Sequence, residues 1–290
     1  MSEAKERKEI DLDFLYLIFQ ITVYPLLGML VVWLVKMADD KRTTFEEDKA
    51  MLLESNMAVG LRKAGICLGL FLALAGVLSG KSPKILVDLW NFFKAAAMIV
   101  IFLLLTFELN KRIILRKVNN DKAVSKGNVA VGTVEFSTYV GTGIIMNGAF
   151  SGEGGGLGAA GVFFVLGQIA LVISFYLDAA ISRRNIQEEI ELKGNIAEGI
   201  DMAGILIAIS IVLRASIIGP FTGWITGLEG FGIYLVLGLL ALFVFKALAE
   251  KIFMPRVSYA DEMDVRRNQA VAVFTACIQI SVAVFIANVM

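Results

Sequence analysis

Long apolar stretches alternate with short charged ones along the whole chain. Eight of the stretches approach the roughly 20 residues a membrane-crossing helix needs. They run from about Phe14 to Val35, Met57 to Leu78, Leu86 to Phe107, Val129 to Phe150, Leu157 to Leu177, Ile196 to Ile218, Phe231 to Ala249 and Gln269 to Val289. The pattern predicts an all-α integral membrane protein of about eight transmembrane helices, with no run left for a sizeable soluble domain. The first stretch reads as a retained helix, because it outlasts a signal-peptide core and follows a mixed-charge segment, residues 1–13.

A short pattern, asparagine-x-alanine, opens every even-numbered stretch: Asn56-Met57-Ala58, Asn128-Val129-Ala130, Asn195-Ile196-Ala197 and Asn268-Gln269-Ala270. The chain is therefore read as four two-helix repeats. Alternate copies keep nearly constant separations, so a pair of repeats was itself duplicated. This gives two tandem four-helix domains, 1–150 and 151–290.

Small residues recur two, nine and thirteen places beyond each asparagine. They are Ala58, Gly65 and Gly69; Ala130, Ser137 and Gly141; Ala197, Gly204 and Ala208; and Ala270, Cys277 and Ser281. At 100° per residue they fall within about 40° of one another, forming a stripe on which another helix can pack closely.

The segments Lys126-Gly127-Asn128-Val129-Ala130 and Lys193-Gly194-Asn195-Ile196-Ala197 resemble the entry motif of bacterial inner-membrane domain-of-unknown-function family 350. Typical members have four helices and two such motifs, so the resemblance implies two tandem copies here. Ser55 and Arg267 stand where the motif has glycine. The resemblance also implies a bacterial cytoplasmic membrane and no established activity. By genomic association it suggests an envelope or stress system.

Charge changes the picture by position. Eighteen lysines and arginines are assigned to the connections that precede even helices, against three in the N-terminal segment and Lys81 and Lys84 after the second helix. The positive-inside rule places those connections in the cytoplasm and both termini outside. Globally, 27 basic residues balance 27 acidic ones, which gives no pull toward nucleic acid. Histidine is absent and the two cysteines, Cys67 and Cys277, lie in apolar runs. No metal site, cofactor motif or nucleophile–base pair is visible, and no enzyme is expected.

Within the stretches, Lys63 and Glu135 share one repeat position, seven beyond the asparagine, and Arg62 and Asp201 share the one before it. Ionisable groups at that depth mark a pair or a pathway. One reading is a charge network that fixes helix register around a common axis; the other is an ion or proton path. The four asparagines are expected to cap their helices, and a ring lining a vestibule is the alternative. Lys94 and Arg214 are expected to snorkel outward.

Three further segments carry weaker signals. Residues 75–82 imitate a P-loop without its first glycine. Residues 152–158 read as an outer glycine turn, or a re-entrant one using Glu153. Thr44 to Glu47 has capping-box spacing before an amphipathic run. The chain is thus expected to be a structural or assembly component, its partners the lipid bilayer and other membrane or cytoplasmic proteins, further copies of itself included. A channel or transporter for a small ion is the alternative.

Overall fold

The computed structural model describes residues 2–43, 45–78, 85–152, 154–182, 185–255 and 258–290. All its regular elements are helical. Eight helices are long and apolar enough to cross a membrane. Met1–Arg42 and Thr43–Met290 form two compact units. The first contains α1 (Ser2–Asp40), which has Pro25 inside it and the apolar stretch Tyr16–Asp40.

The second unit contains the other seven spans: α3 (Met57–Val77), α4 (Ile85–Leu109, extended by a π-helical turn Asn110–Ile114), α6 (Val129–Ser151), α7 (Gly156–Ser182), α9 (Ile196–Ile217), α10 (Trp224–Phe253) and α11 (Gln269–Val289). Short helices α2 (Glu47–Leu52), α5 (Asn120–Ser125) and α8 (Ile186–Glu191) precede α3, α6 and α9, and a π-helical turn, Asp261–Val265, precedes α11. The seventh span is longer at both ends than the hydropathy minimum Phe231–Ala249. Lys246, counted with a connection although it falls inside that stretch, lies within α10. Residues 79–84 lie outside the described residues, but Ala75–Val77 continue α3, so the P-loop imitation begins in helix.

One joint is built four times. The residue before each asparagine adopts positive φ: Ser55 at 52°, Gly127 at 81°, Gly194 at 61° and Arg267 at 49°. This left-handed residue ends the preceding short helix and reverses the chain. The asparagine N–H then reaches back to the carbonyl of Ala50, Ala123, Glu189 or Glu262. Its side-chain oxygen accepts from the first turn of the new helix: from Ala58 and Val59, Val131, Glu198, and Ala270 and Val271. The glycine of the entry motif is thus explained by backbone conformation.

The even helices α3, α6, α9 and α11 pack in that order as a row, all running the same way. Their stripes are the contacts. A Cβ added at Gly65 would fall within 3.0 Å of Phe136 backbone, at Gly69 within 3.0 Å of Tyr139 backbone, and at Gly76 within 3.0 Å of Asn147 backbone. The same register recurs at the next junctions, where Gly199 meets the Ala130 backbone, Gly141 meets Ser210 and Gly204 meets Ala276. The odd spans α4, α7 and α10 each pack against two consecutive members of the row.

In the glycine run after α6, Gly154 adopts φ 90° and Gly156, the first residue of α7, φ 60°. Glu153 lies outside the described residues, as does Thr44 of the capping-box segment. Glu46, at the N-cap of α2, makes no side-chain capping bond.

A left-handed conformation costs an L-residue about 1–2 kcal/mol. Ser55→Gly and Arg267→Gly are therefore each expected to raise unfolding stability in detergent by about 1 kcal/mol, and Gly194→Ala to lower it. Thermal melts followed by intrinsic fluorescence would show this. A fall on Ser55→Gly would mean that the serine side chain holds the joint.

Candidate functional site

The densest polar cluster lies where α3 and α6 meet short helices α2 and α5. Arg62 is only 2% exposed and Glu135 is fully buried. The Arg62 guanidinium donates through Nε to Glu135 Oε2 at 2.5 Å and through Nη2 to Glu135 Oε1 at 3.1 Å. Its Nη1 donates to Glu47 Oε1 and Asp121 Oδ1, both at 3.0 Å. A helical side chain leans toward its N-terminus. Arg62 therefore bridges from the span to the charged connection, and its planar fork holds one carboxylate bidentately.

The other members complete the balance. Lys111 pairs with Asp121 Oδ2 at 2.9 Å, and Asn120 Nδ2 donates to Glu135 Oε1 at 3.3 Å. Lys63 turns away from Glu135 toward Glu47 at 3.2 Å and Asp48 at 3.0 Å. Of the four expected charges, the fold brings Arg62 and Glu135 into contact and sends Lys63 to the connection.

Asp201 sits two junctions away, buried between α9 and α11. Gln279 Nε2 donates to its Oδ1 at 3.0 Å, and the Thr275 hydroxyl lies 3.5 Å from the same oxygen. Lys246, whose ammonium pairs with Asp178 at 2.9 Å, lines a small void with Thr275 and Gln279. At the intervening α6–α9 junction the matching positions are Val134 and Met202, both buried and apolar. A network around one common axis is therefore not what forms. The charged residues fall into two separate clusters along a row.

The asparagines do not make a ring either. Each amide is spent within the row. Asn56 Nδ2 donates to the carbonyls of Val124 and Ser125, Asn128 Nδ2 to those of Ile190 and Glu191, and Asn195 Nδ2 to that of Met263. These three caps thus also bind the short helical element of the next repeat, whereas Asn268 Nδ2 donates to Glu262 Oε2 of its own joint at 2.7 Å.

At the opposite end of the helices, Arg214 Nε donates to Asn147 Oδ1 at 2.6 Å, and Asn147 Nδ2 donates to the Leu72 carbonyl at 2.9 Å. The outward snorkelling expected of Arg214 gives way to a tie across α3, α6 and α9. Lys94 lies 5.9 Å from the centre of the Trp90 ring, a one-turn cation–π contact. A cavity of about 280 Å³ opens among Gly148, Ala160, Phe163, Phe221 and Tyr234, and most of its lining is apolar.

Sequence reasoning missed Glu47, Asp121 and Lys111, because a connection residue gives no sign that it folds back under a span. It also missed the glycines four places beyond three of the asparagines, Gly60, Gly132 and Gly199, although their recurrence is visible in the sequence.

Outside the spans, two carboxyls respond oppositely to their surroundings. Burial pushes Glu189 up, but hydrogen bonds from Lys193 and Asn195 and the charges of Lys193 and Arg267 outweigh it and hold the group below the usual carboxylate range. Burial raises Glu191 despite the N–H groups of Val118 and Lys117 that bond its carboxylate.

Eight membrane-crossing helices joined through a repeated asparagine joint define a polytopic membrane protein built by internal duplication. The chain belongs to the family described as Domain of Unknown Function (DUF350), which it matches twice, over residues 13–150 and 154–290. It is also similar to a UPF0719 transmembrane protein of Aquifex aeolicus (strain VF5), at 24% identity over 214 residues, covering 72% of this chain and 76% of that protein. No solved structure matches it. Within Thr43–Met290, α6 of the first matched segment lies against α9 of the second in the register used between α3 and α6.

Arg62→Met leaves three carboxylates facing one another, whereas Glu135→Gln leaves Arg62 with two. Breaking a buried pair costs about 3–5 kcal/mol. Both variants are therefore expected to melt lower than the natural sequence, Arg62→Met the lower of the two. The reverse order would show that Glu135 carries a role other than neutralising Arg62.

The folded-state pKa of Glu189 lies below its unfolded value. Its contribution to stability is therefore present above the ordinary carboxylate value of about 4.3 and is lost as pH falls through the folded value. The stability difference between the natural sequence and Glu189→Gln should accordingly shrink as pH is lowered through that range. Melts between neutral and acid pH would check it, and a difference independent of pH would contradict the assignment.

Proposed function

We propose that the protein is a non-enzymatic structural or assembly component of the bacterial cytoplasmic membrane, a rigid helical platform for a membrane complex. The observation that carries this reading is the backbone-on-backbone contact of the row. From Ala58 against Gly132 to Gly76 against Asn147, the α3–α6 contact runs along about 27 Å of α3 and about 22 Å of α6. The length along α3 is close to the thickness of the hydrocarbon core, about 30 Å. Helices in such contact leave no passage between them, and Arg62, Lys63 and Lys246 each hold a carboxylate.

The charged connections face the cytoplasm in this reading and both termini face outward, in keeping with the lysine and arginine bias. A role in an envelope or stress system is consistent with such a platform.

A second reading, passage of a small ion or proton, has one observation of its own. A void of about 10 Å³ adjoins Thr275 and Gln279, the residues that face Asp201, and is lined also by Lys246, Glu250, Ala249, Met254 and Ile278; it is about the smallest space that holds a water. Under that reading Asp201, not Glu135, is the titrating group.

Purified protein in sealed liposomes separates the two. The platform reading expects proton, potassium and chloride flux no greater than in protein-free liposomes, from protein shown to be folded and inserted. Flux that Asp201→Asn abolishes would overturn it in favour of transport.

A further inference from the structure

The row of even helices uses one asymmetric interface three times. The stripe of each helix docks on the face of the next that carries the fourth and eighth positions beyond its asparagine. Ala58 meets Gly132, Ala130 meets Gly199, Gly65 meets Phe136 and Gly204 meets Ala276. An interface of this kind has two different faces, so a row of four helices leaves one of each kind at its ends.

Both end faces are open. On α11 the stripe residues Ala270, Cys277 and Ser281 are exposed, although their counterparts Ala58, Gly65 and Gly69 on α3 are buried. On α3, a Cβ at Gly60 would meet nothing within 4 Å, although the counterpart Gly132 lies against Ala58 backbone. Ala64 is exposed, whereas its counterparts Ala203 and Ala276 are buried.

The connections give a separate indication. In repeats two to four an apolar residue four or five places before the asparagine lies fully buried: Val124, Ile190 and Met263. Each of these three belongs to the element whose carbonyls receive the amide of the preceding asparagine. In the first repeat the corresponding positions are Met51, half-buried, and Leu52, which ends α2 and is 71% exposed, and Leu53 after it is 77% exposed. Among the described residues the Asn268 amide bonds Glu262 Oε2 of its own joint and no short helix of another repeat.

We propose that copies of this chain associate head to tail in the membrane, the stripe of α11 in one copy docking on the Gly60–Ala64 face of α3 in the next. Asn268 then donates to a carbonyl of Met51 or Leu52 in the second copy, as Asn56, Asn128 and Asn195 do within the chain, and Leu52 is covered. Such a contact is heterologous and continues into a ring or an open row. The inference goes beyond the platform reading, since a transport protein can assemble in the same way.

The contact predicts a specific cross-link. Cys277 is the counterpart of Gly65 and Gly204, and Ala64 that of Phe136 and Ala276. Those pairs touch through their backbones, close enough for the 4.4–6.8 Å Cα separation of a disulfide. Two full-length chains with different tags are co-expressed, one A64C/C67A/C277A and the other C67A, whose sole cysteine is Cys277. Oxidation of the membranes is expected to give a mixed dimer only when both are present, and a single chain A64C/C67A is expected to give a ladder of higher bands.

No mixed dimer would overturn the proposal, and so would a Cys277–Cys277 dimer from the second chain alone, which requires two stripes face to face. A second measurement needs no cysteine. Gly60→Leu fills open space in one copy, so it should leave the thermal melt unchanged while shifting the particle mass in lipid nanodiscs from multiples of the chain to one copy. Gly132→Leu should instead lower the melt. Natural protein of one-copy mass, or Gly60→Leu particles of unchanged mass, would also overturn the proposal.

Discussion

Close approach of helix backbones in a solvent that does not drive helices together is the constraint on which the rest of this structure depends. Lipid tails are as apolar as leucine, so association rests on van der Waals contact and polar ties. Each atom pair contributes only about 0.1–0.2 kcal/mol. A stable junction therefore needs many pairs, and glycine, alanine and serine allow them by letting main chains touch. Their spacing of seven, four and, on α3 and α6, seven again averages about 3.6 residues per turn, the period of a straight α-helix, so the small residues stay on one face along its length. The register of the row follows from this spacing, since a shift by one residue would set a side chain in place of Gly65 or Gly69 against the Phe136 and Tyr139 backbones, which leave no room even for a Cβ.

The asparagine joint makes that register cooperative. One side-chain oxygen ends the amide deficit of its own helix, while the amide of the same side chain holds the short helix of the next repeat. Capping and inter-repeat contact are thus one event, and a helix that slid along its neighbour would lose both. The Arg62 cluster adds a second lock at the first junction, joining two spans to two connections. Desolvating so many charges is costly, and the attraction among them offsets that cost only with near-complete pairing, which the bidentate contact to Glu135 and the bonds to Glu47 and Asp121 supply. Such a cluster fixes geometry better than it adds stability.

Much of this fold was legible in the sequence, because membrane helices announce themselves by length and hydropathy and because four repeats multiply a weak signal. The stripes at Gly65, Gly69, Gly141 and Gly204 were legible as packing surfaces for the same reason. Their partners were not, since one strip of small residues says nothing about which face receives it. Pairing was legible only where two charges shared a depth on adjacent helices, as Arg62 and Glu135 do. Asp201 has the same repeat position as Arg62 but a different neighbour, α11, which offers Thr275 and Gln279 in place of a carboxylate. Expecting the charges to gather around one axis assumed a closed ring. Small-residue faces permit a row equally well, and helix sequence alone does not distinguish the two.

The α6–α9 junction joins the two family segments, yet it repeats the register found inside each. Contacts within a segment and between segments therefore obey one rule, as expected when an interface is older than the fusion that turned it into an internal one. The polar clusters alternate where the packing does not: the first and third junctions carry charged or polar groups at the level of Arg62, and the middle one carries Val134 and Met202. The middle contact thus has no polar pair at that level, and its ties are at the two ends, the Asn128 amide on the Ile190 and Glu191 carbonyls and Arg214 on Asn147. A row governed by one rule has no internal reason to stop. What ends it is a changed face, and the stripe on α11 has kept its small residues.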